Sequence, residues 1–183
     1  MVRMSSIVQN GDPVLRQIAK EVPEKQITNP KISAILGRMK EALNSQDDGV
    51  ALAAPQIGES LRIFVVSERV FEIADDLKER REQIKDRNTN YGHLVFINPR
   101  LTKLSKDKAM LEEGCLSVRY KYGKIERSLK ATVTAYDEHG KKFTRGGSGL
   151  MAQIFQHETD HLNGVLFIDK AVDLQEIPPK ESK

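Results

Sequence analysis

The chain has 183 residues, 39% hydrophobic and 30% charged, with 29 basic against 26 acidic residues and a net charge of +3. That is the profile of one ordinary globular domain; the intermixed signs and the lack of an aromatic platform argue against a nucleic-acid face, and no apolar run approaches the roughly 20 residues of a membrane span. A single cysteine excludes an intramolecular disulfide and suits a reducing compartment, and the start MVRMSSIVQNGDPVL has no apolar stretch of signal-peptide length, so secretion is not expected. Taken in chain order, Asn29-Pro30 reads as an N-cap followed by proline at the first helical position, and Ile32, Ile35, Leu36, Met39 and Leu43 recur at helical spacing. A loop through Ser45–Gly49 ends that helix. Leu61–Ser67 reads as a buried strand. Glu68–Arg87 carries seven acidic and six basic residues, with Val70, Ile73, Leu77 and Ile84 on one helical face, and is expected to be an amphipathic surface helix.

Beyond Tyr91 the pattern turns to strands: His93–Asn98, Leu101–Leu104, a ribbon from Tyr120 to Arg127, and a hairpin of Ala131–Tyr136 with Lys142–Arg145 around Asp137–Gly140. Gly146–Gly149 is expected to break the strand, with Ser148 capping a helix from Gly149 to about Leu162 that ends at Asn163-Gly164. A short strand at Val165–Ile168 and a loose tail over 174–183 complete the reading, leaving one domain over 1–173. Helices and mainly antiparallel strands in separate runs imply an α+β fold, with sheets packed around the C-terminal helix and a further helix near the N-terminus.

On that C-terminal helix stands His157-Glu158-Thr159-Asp160-His161. Two histidines four apart share one helical face and can reach one ion, while Glu158, about 100° around the helix, can bond a water there without being a ligand. Chance yields such a pattern in roughly one chain of this size in a few hundred. A hydrolytic site of this kind needs a third protein ligand. His139 falls in a hairpin turn and His93 begins a strand, so both are expected to be non-ligands. Cys115, in Glu113-Gly114-Cys115-Leu116-Ser117, is better suited in character, being a soft donor beside a glycine. Spacing alone does not establish that partnership.

Three separated motifs, Gly49-Val50-Ala51-Leu52-Ala53-Ala54-Pro55-Gln56, Glu113-Gly114-Cys115-Leu116-Ser117 and Gln156-His157-Glu158-Thr159-Asp160-His161-Leu162-Asn163-Gly164, together resemble the peptide deformylase family. The resemblance implies hydrolysis of the N-formyl group from the N-terminal methionine of nascent polypeptides. It implies Cys115, His157 and His161 as ligands of ferrous iron, with zinc, nickel or cobalt as substitutes, and Glu158 as the acid/base. It further implies that the Gln56 amide and Leu116 N–H stabilise the oxyanion, and that Gly49, Val50, Ala51, Glu113, Gly114, Leu150, Gln153 and Ile154 line the substrate cleft. The implied partners are formylated nascent peptides at the ribosome, in a bacterial cytoplasm or an organelle, with neither nucleic acid nor membrane.

Three positions depart from the family pattern. Ala51 replaces a usual second glycine, Arg119 a proline, and Gln153 an apolar residue of the methionine pocket. An alternative is therefore a deformylase-like paralogue with altered acyl or side-chain specificity or reduced activity. A zincin-type peptidase would share His-Glu-x-x-His but would take a downstream His or Glu as third ligand; no downstream His exists, and Glu176 lies in the expected tail. A non-enzymatic metal-stabilised module is the remaining alternative, separated by the effect of Glu158→Ala on turnover.

Overall fold

The computed structural model describes residues 6–71, 73 and 92–178. Helix α1 spans Pro30–Asn44, and its first turn is closed as expected, Asn29 Oδ1 accepting from Lys31 N at 2.9 Å. Strands β1 (Ala51–Ala53), β2 (Ile63–Ser67), β3 (His93–Leu104), β6 (Lys130–Tyr136) and β7 (Lys142–Ser148) form an antiparallel sheet in the order β1-β2-β3-β6-β7. Strands β4 (Lys108–Gly114), β5 (Lys121–Ser128) and β8 (Val172–Glu176) form a second antiparallel sheet, and helix α2 covers Leu150–Leu162. The α+β architecture of antiparallel sheets around a C-terminal helix is thus present.

Strand β2 reads Ile-Phe-Val-Val-Ser because both of its faces are covered. Ile63 and Val65 join Ile35, Met39 and Leu43 of α1 in one core, while Phe64 and Val66 join Phe155 and Ala152 of α2 in another. Phe64 stacks on Phe96 with centroids 4.4 Å apart, and Phe155 meets Phe96 edge-on at 5.4 Å. Small residues Ala51, Ala53 and Ala152 let α2 lie close to the sheet. This places the helix between the five-stranded sheet and β5 of the smaller one. Among the described residues no helix is long and apolar enough to cross a membrane.

Several expectations need correction. The glycines at 146–149 do not break the strand, since β7 runs to Ser148. A Cβ at Gly147 would come within 2.8 Å of Met151 Cγ, so the glycine admits the helix rather than ending the strand. Gly149, not Ser148, is the N-cap of α2, and no side chain caps it. Asn163-Gly164 ends α2 as anticipated, Gly164 having φ 73°. Val165–Ile168 is not a strand: Phe167–Asp169 forms a 3-10 turn, with Asp169 accepting from Leu166 N at 2.9 Å. The tail is not loose from residue 174, because β8 pairs with β5 through Lys121↔Glu176, Tyr122↔Gln175 and Lys124↔Val172. All five β8 side chains are exposed, so backbone bonding rather than a buried face holds it. The expected amphipathic helix over 68–87 lies outside the described residues apart from a helical start at 69–71 and 73.

Candidate metal centre

Helix α2 presents His157 and His161 one turn apart, with ring centroids 4.9 Å from each other. Cys115 enters from the turn that follows β4, and its Sγ lies 3.2 Å from His161 Nε2. One donor atom from each of Cys115, His157 and His161 lies within 4.8 Å of the others. A thiolate and two imidazoles converging in this way are a donor set that would suit a transition metal. The chemistry of the donors therefore fits a single ion. Glu176, the ligand that a zincin reading would require, lies instead in β8, opposite Lys121. His139 is exposed in its hairpin, and His93 Nε2 is engaged with Asn44 Oδ1 at 2.9 Å.

A buried ionic chain orients the first histidine. His157 Nδ1 lies 2.9 Å from Glu113 Oε2, which leaves Nε2 for the ion. Glu113 is the one buried position of β4. It faces Gly123 across the ladder, and Arg127 lies four residues along β5, an even offset that keeps both side chains on one face. Arg127 donates from Nε and Nη2 to the two Glu113 oxygens at 2.8 and 3.1 Å, and from Nη1 to Asp160 Oδ2 at 2.7 Å. Burial pushes the Glu113 carboxyl up, but the hydrogen bonds from His157 and Arg127 outweigh it and bring the group to about 2. Burial likewise pushes the Cys115 thiol up, yet His161 and His157 bring it to about 5, so the sulfur is poised as thiolate.

Glu158 is buried, and its Oε2 has no protein partner. Burial raises its pKa above the usual carboxylate range, against the pull of the two imidazoles. Gln56 sits in the 3-10 turn Ala54–Ile57 directly after β1. Its Oε1 accepts from Ala53 N at 2.8 Å, while its Nε2 donates to Ser117 Oγ at 3.1 Å and toward Cys115 Sγ at 3.6 Å. The amide is therefore fixed with its N–H groups toward the metal centre.

A cavity of about 300 Å³ opens over these groups. Gly49, Val50 and Ala51 form one wall, Glu113, Gly114 and Leu116 another, and Leu150, Gln153 and Ile154 of α2 the third. Gln56, Cys115, His157 and Glu158 also line it, whereas His161 lies behind, 1% exposed. Every anticipated site residue is thus brought together here. Sequence reasoning missed Ser117 as the anchor of Gln56, the Arg127–Asp160 chain behind Glu113, and Tyr120, Lys121 and Tyr122 on the rim. The strongest available signal was an arginine on the same inward face of β5 as Gly123 and Ile125. Gln153 turns to Glu113, its Nε2 donating to Glu112 O at 2.8 Å and to Glu113 Oε1 at 3.4 Å.

The family described as Polypeptide deformylase matches residues 4–176. Peptide deformylase 1A, chloroplastic/mitochondrial, of Arabidopsis thaliana is 40% identical over 171 residues, 93% of this chain and 62% of that protein. Peptide deformylase of Halothermothrix orenii is 41% identical over 166 residues, 91% of this chain and 92% of its own. The chain spans 62% and 59% of the length of two plant relatives it matches, those of Arabidopsis thaliana and Solanum lycopersicum. Among solved structures, a peptide deformylase from Synechococcus elongatus in complex with actinonin gives a TM-score of 0.76 at 30% identity, covering 94% of this chain and 82% of that one. The enzyme from Thermotoga maritima gives 0.73 at 35% identity, covering 92% and 98%.

Proposed function

The chain belongs to the polypeptide deformylase family, and from that premise we propose that its cleft hydrolyses the N-formyl amide of peptides beginning with methionine. The observation that carries the reading is the convergence of Cys115, His157 and His161 within 4.8 Å on a cavity that Glu158 and Gln56 also line. Cys115, His157 and His161 would hold the metal, ferrous iron being the native ion, with zinc, nickel or cobalt able to replace it. When bound, the metal supplies Lewis-acid chemistry, polarising the formyl carbonyl and acidifying water.

The chain's own residues supply the rest. β1 is an edge strand of its sheet, so the backbone beside Gly49–Ala51 can take an extended peptide as an added strand. The fixed Gln56 amide, with the Leu116 N–H, orients the carbonyl and receives its developing negative charge. Glu158, unpartnered at Oε2 and with a raised pKa, takes the proton of the attacking water and returns it to the departing amine. Glu113 holds His157 in the ligand tautomer and ring orientation. Formylated nascent chains emerging from the ribosome, in a bacterial cytoplasm, are the substrates this chemistry serves.

The test is an anaerobic assay of iron-loaded protein on formyl-Met-Ala-Ser. Wild type should release formate. Glu158→Ala should keep its metal and lose about 10²–10⁴-fold in kcat. Cys115→Ser should lose metal stoichiometry. A wild type inert on formyl peptides, or a Cys115→Ser variant with full metal content, would overturn the assignment.

A further inference from the structure

We infer that Arg119 is a specificity-determining residue of this cleft, clamping its two walls at the end farthest from the metal centre and meeting the third and later residues of a bound peptide. The inference rests on the deformylase reading of the reaction.

The direction of the cleft follows from Gln56. Its bonds to Ala53 N and Ser117 Oγ fix the Ala53 end of the β1 wall at the metal centre. From there the wall runs outward through Ala51, Val50 and Gly49 to Asp48, all but Ala53 lining the cavity. Ala51 to Asp48 is three steps of chain, with a bend at Asp48, and can reach at most roughly 10 Å, the length of about three residues of a peptide laid alongside. At that far end Arg119 reaches over from the opposite wall, in the turn after Cys115. Its Nη1 donates to Asp48 Oδ2 and Oδ1 at 2.9 and 3.1 Å, and its Nη2 to Gln46 Oε1.

Both ends of the clamp are held. Asp47 O accepts from Arg69 on one side. On the other, Tyr120 keeps a left-handed φ of 66°, which a tyrosine adopts only when its surroundings impose it, and its carbonyl accepts from Ile177 N at 2.7 Å. The Arg119 and Asp48 side chains remain 27% and 60% exposed, so the pair adds little to folding, and its loss is read at the cleft.

The experiment compares wild type, Arg119→Ala, Arg119→Lys and Asp48→Asn as metal-loaded enzymes on formyl-Met-Ala, formyl-Met-Ala-Ser and formyl-Met-Ala-Ser-Ala. Arg119→Ala should raise KM about threefold to tenfold for the two longer peptides, with a clearly smaller rise for the dipeptide and a smaller change in kcat than in KM. Arg119→Lys should recover part of the loss, and Asp48→Asn should show a weaker version of it. Equal effects at every peptide length, or less than a twofold effect at all of them, overturns the clamp while leaving the reaction standing. A wild type that turns over none of the three removes the reaction and the clamp with it.

Discussion

Arg127→Met removes the guanidinium that Glu113 and Asp160 share and replaces it with an unbranched apolar chain. The Arg127 and Glu113 side chains are only 6% and 3% exposed, so the carboxylate left behind cannot turn to water. Removing one partner of a buried pair costs about 3–5 kcal/mol. The electrostatics point in the same direction: against the upward push of burial, His157 and Arg127 together hold the Glu113 carboxyl at about 2 rather than 4.5. Because the folded value is depressed, this stability is fully present above the unfolded value of 4.5 and is lost as pH falls toward 2. Urea unfolding of chelator-treated protein should show Arg127→Met less stable than wild type by about 3–5 kcal/mol at pH 7, with the gap narrowing through pH 4 to 3. The same variant should bind metal about 10–100-fold more weakly, since His157 loses its fixed support. A stability difference under about 1 kcal/mol at pH 7, or one unchanged down to pH 3, would refute the reasoning.

Gln153→Ile should restore an apolar wall beside Leu150 and Ile154. Competition between formyl-Met and formyl-Gln tripeptides should then shift about 5- to 150-fold toward Met in kcat/KM, the roughly 1–3 kcal/mol that one mismatched contact is worth. Gly147→Ala should destabilise by about 1–3 kcal/mol in thermal or urea unfolding, because the new Cβ would meet Met151 Cγ at 2.8 Å and Phe155 Cε2 at 3.0 Å.

The features legible in the sequence are those carried by short-range periodicity. His157, Glu158 and His161 share a helical segment, and α1 shows its apolar face and its Asn29-Pro30 start directly. Cys115 was placed by the resemblance of its motif, since nothing in a spacing of 42 positions from His157 says that a turn after β4 meets α2. The Glu113–Arg127–Asp160 chain depends on the β4–β5 register and on α2 packing over it, both long-range facts. Val165–Ile168 misled because a buried apolar run is compatible with a strand or a tight turn, and the Asp169 cap decides for the turn. β8 was invisible because its exposed side chains carry no alternation. The glycines of β7 looked like punctuation; a helix lying against them explains them instead.

Cys115 follows strand β4 of the smaller sheet, whereas His157 and His161 ride on the helix seated against the larger sheet. An ion held by all three is therefore a fastener between two halves of the molecule, added to the Glu113, Arg127 and Asp160 ion pairs that already join them. Catalytic competence and mechanical cohesion are thereby linked: at free metal about a thousand times the dissociation constant, the closed arrangement gains about 4 kcal/mol over the unfolded chain. Oxidation of the Cys115 sulfur would cut that fastening and extinguish the chemistry in one event.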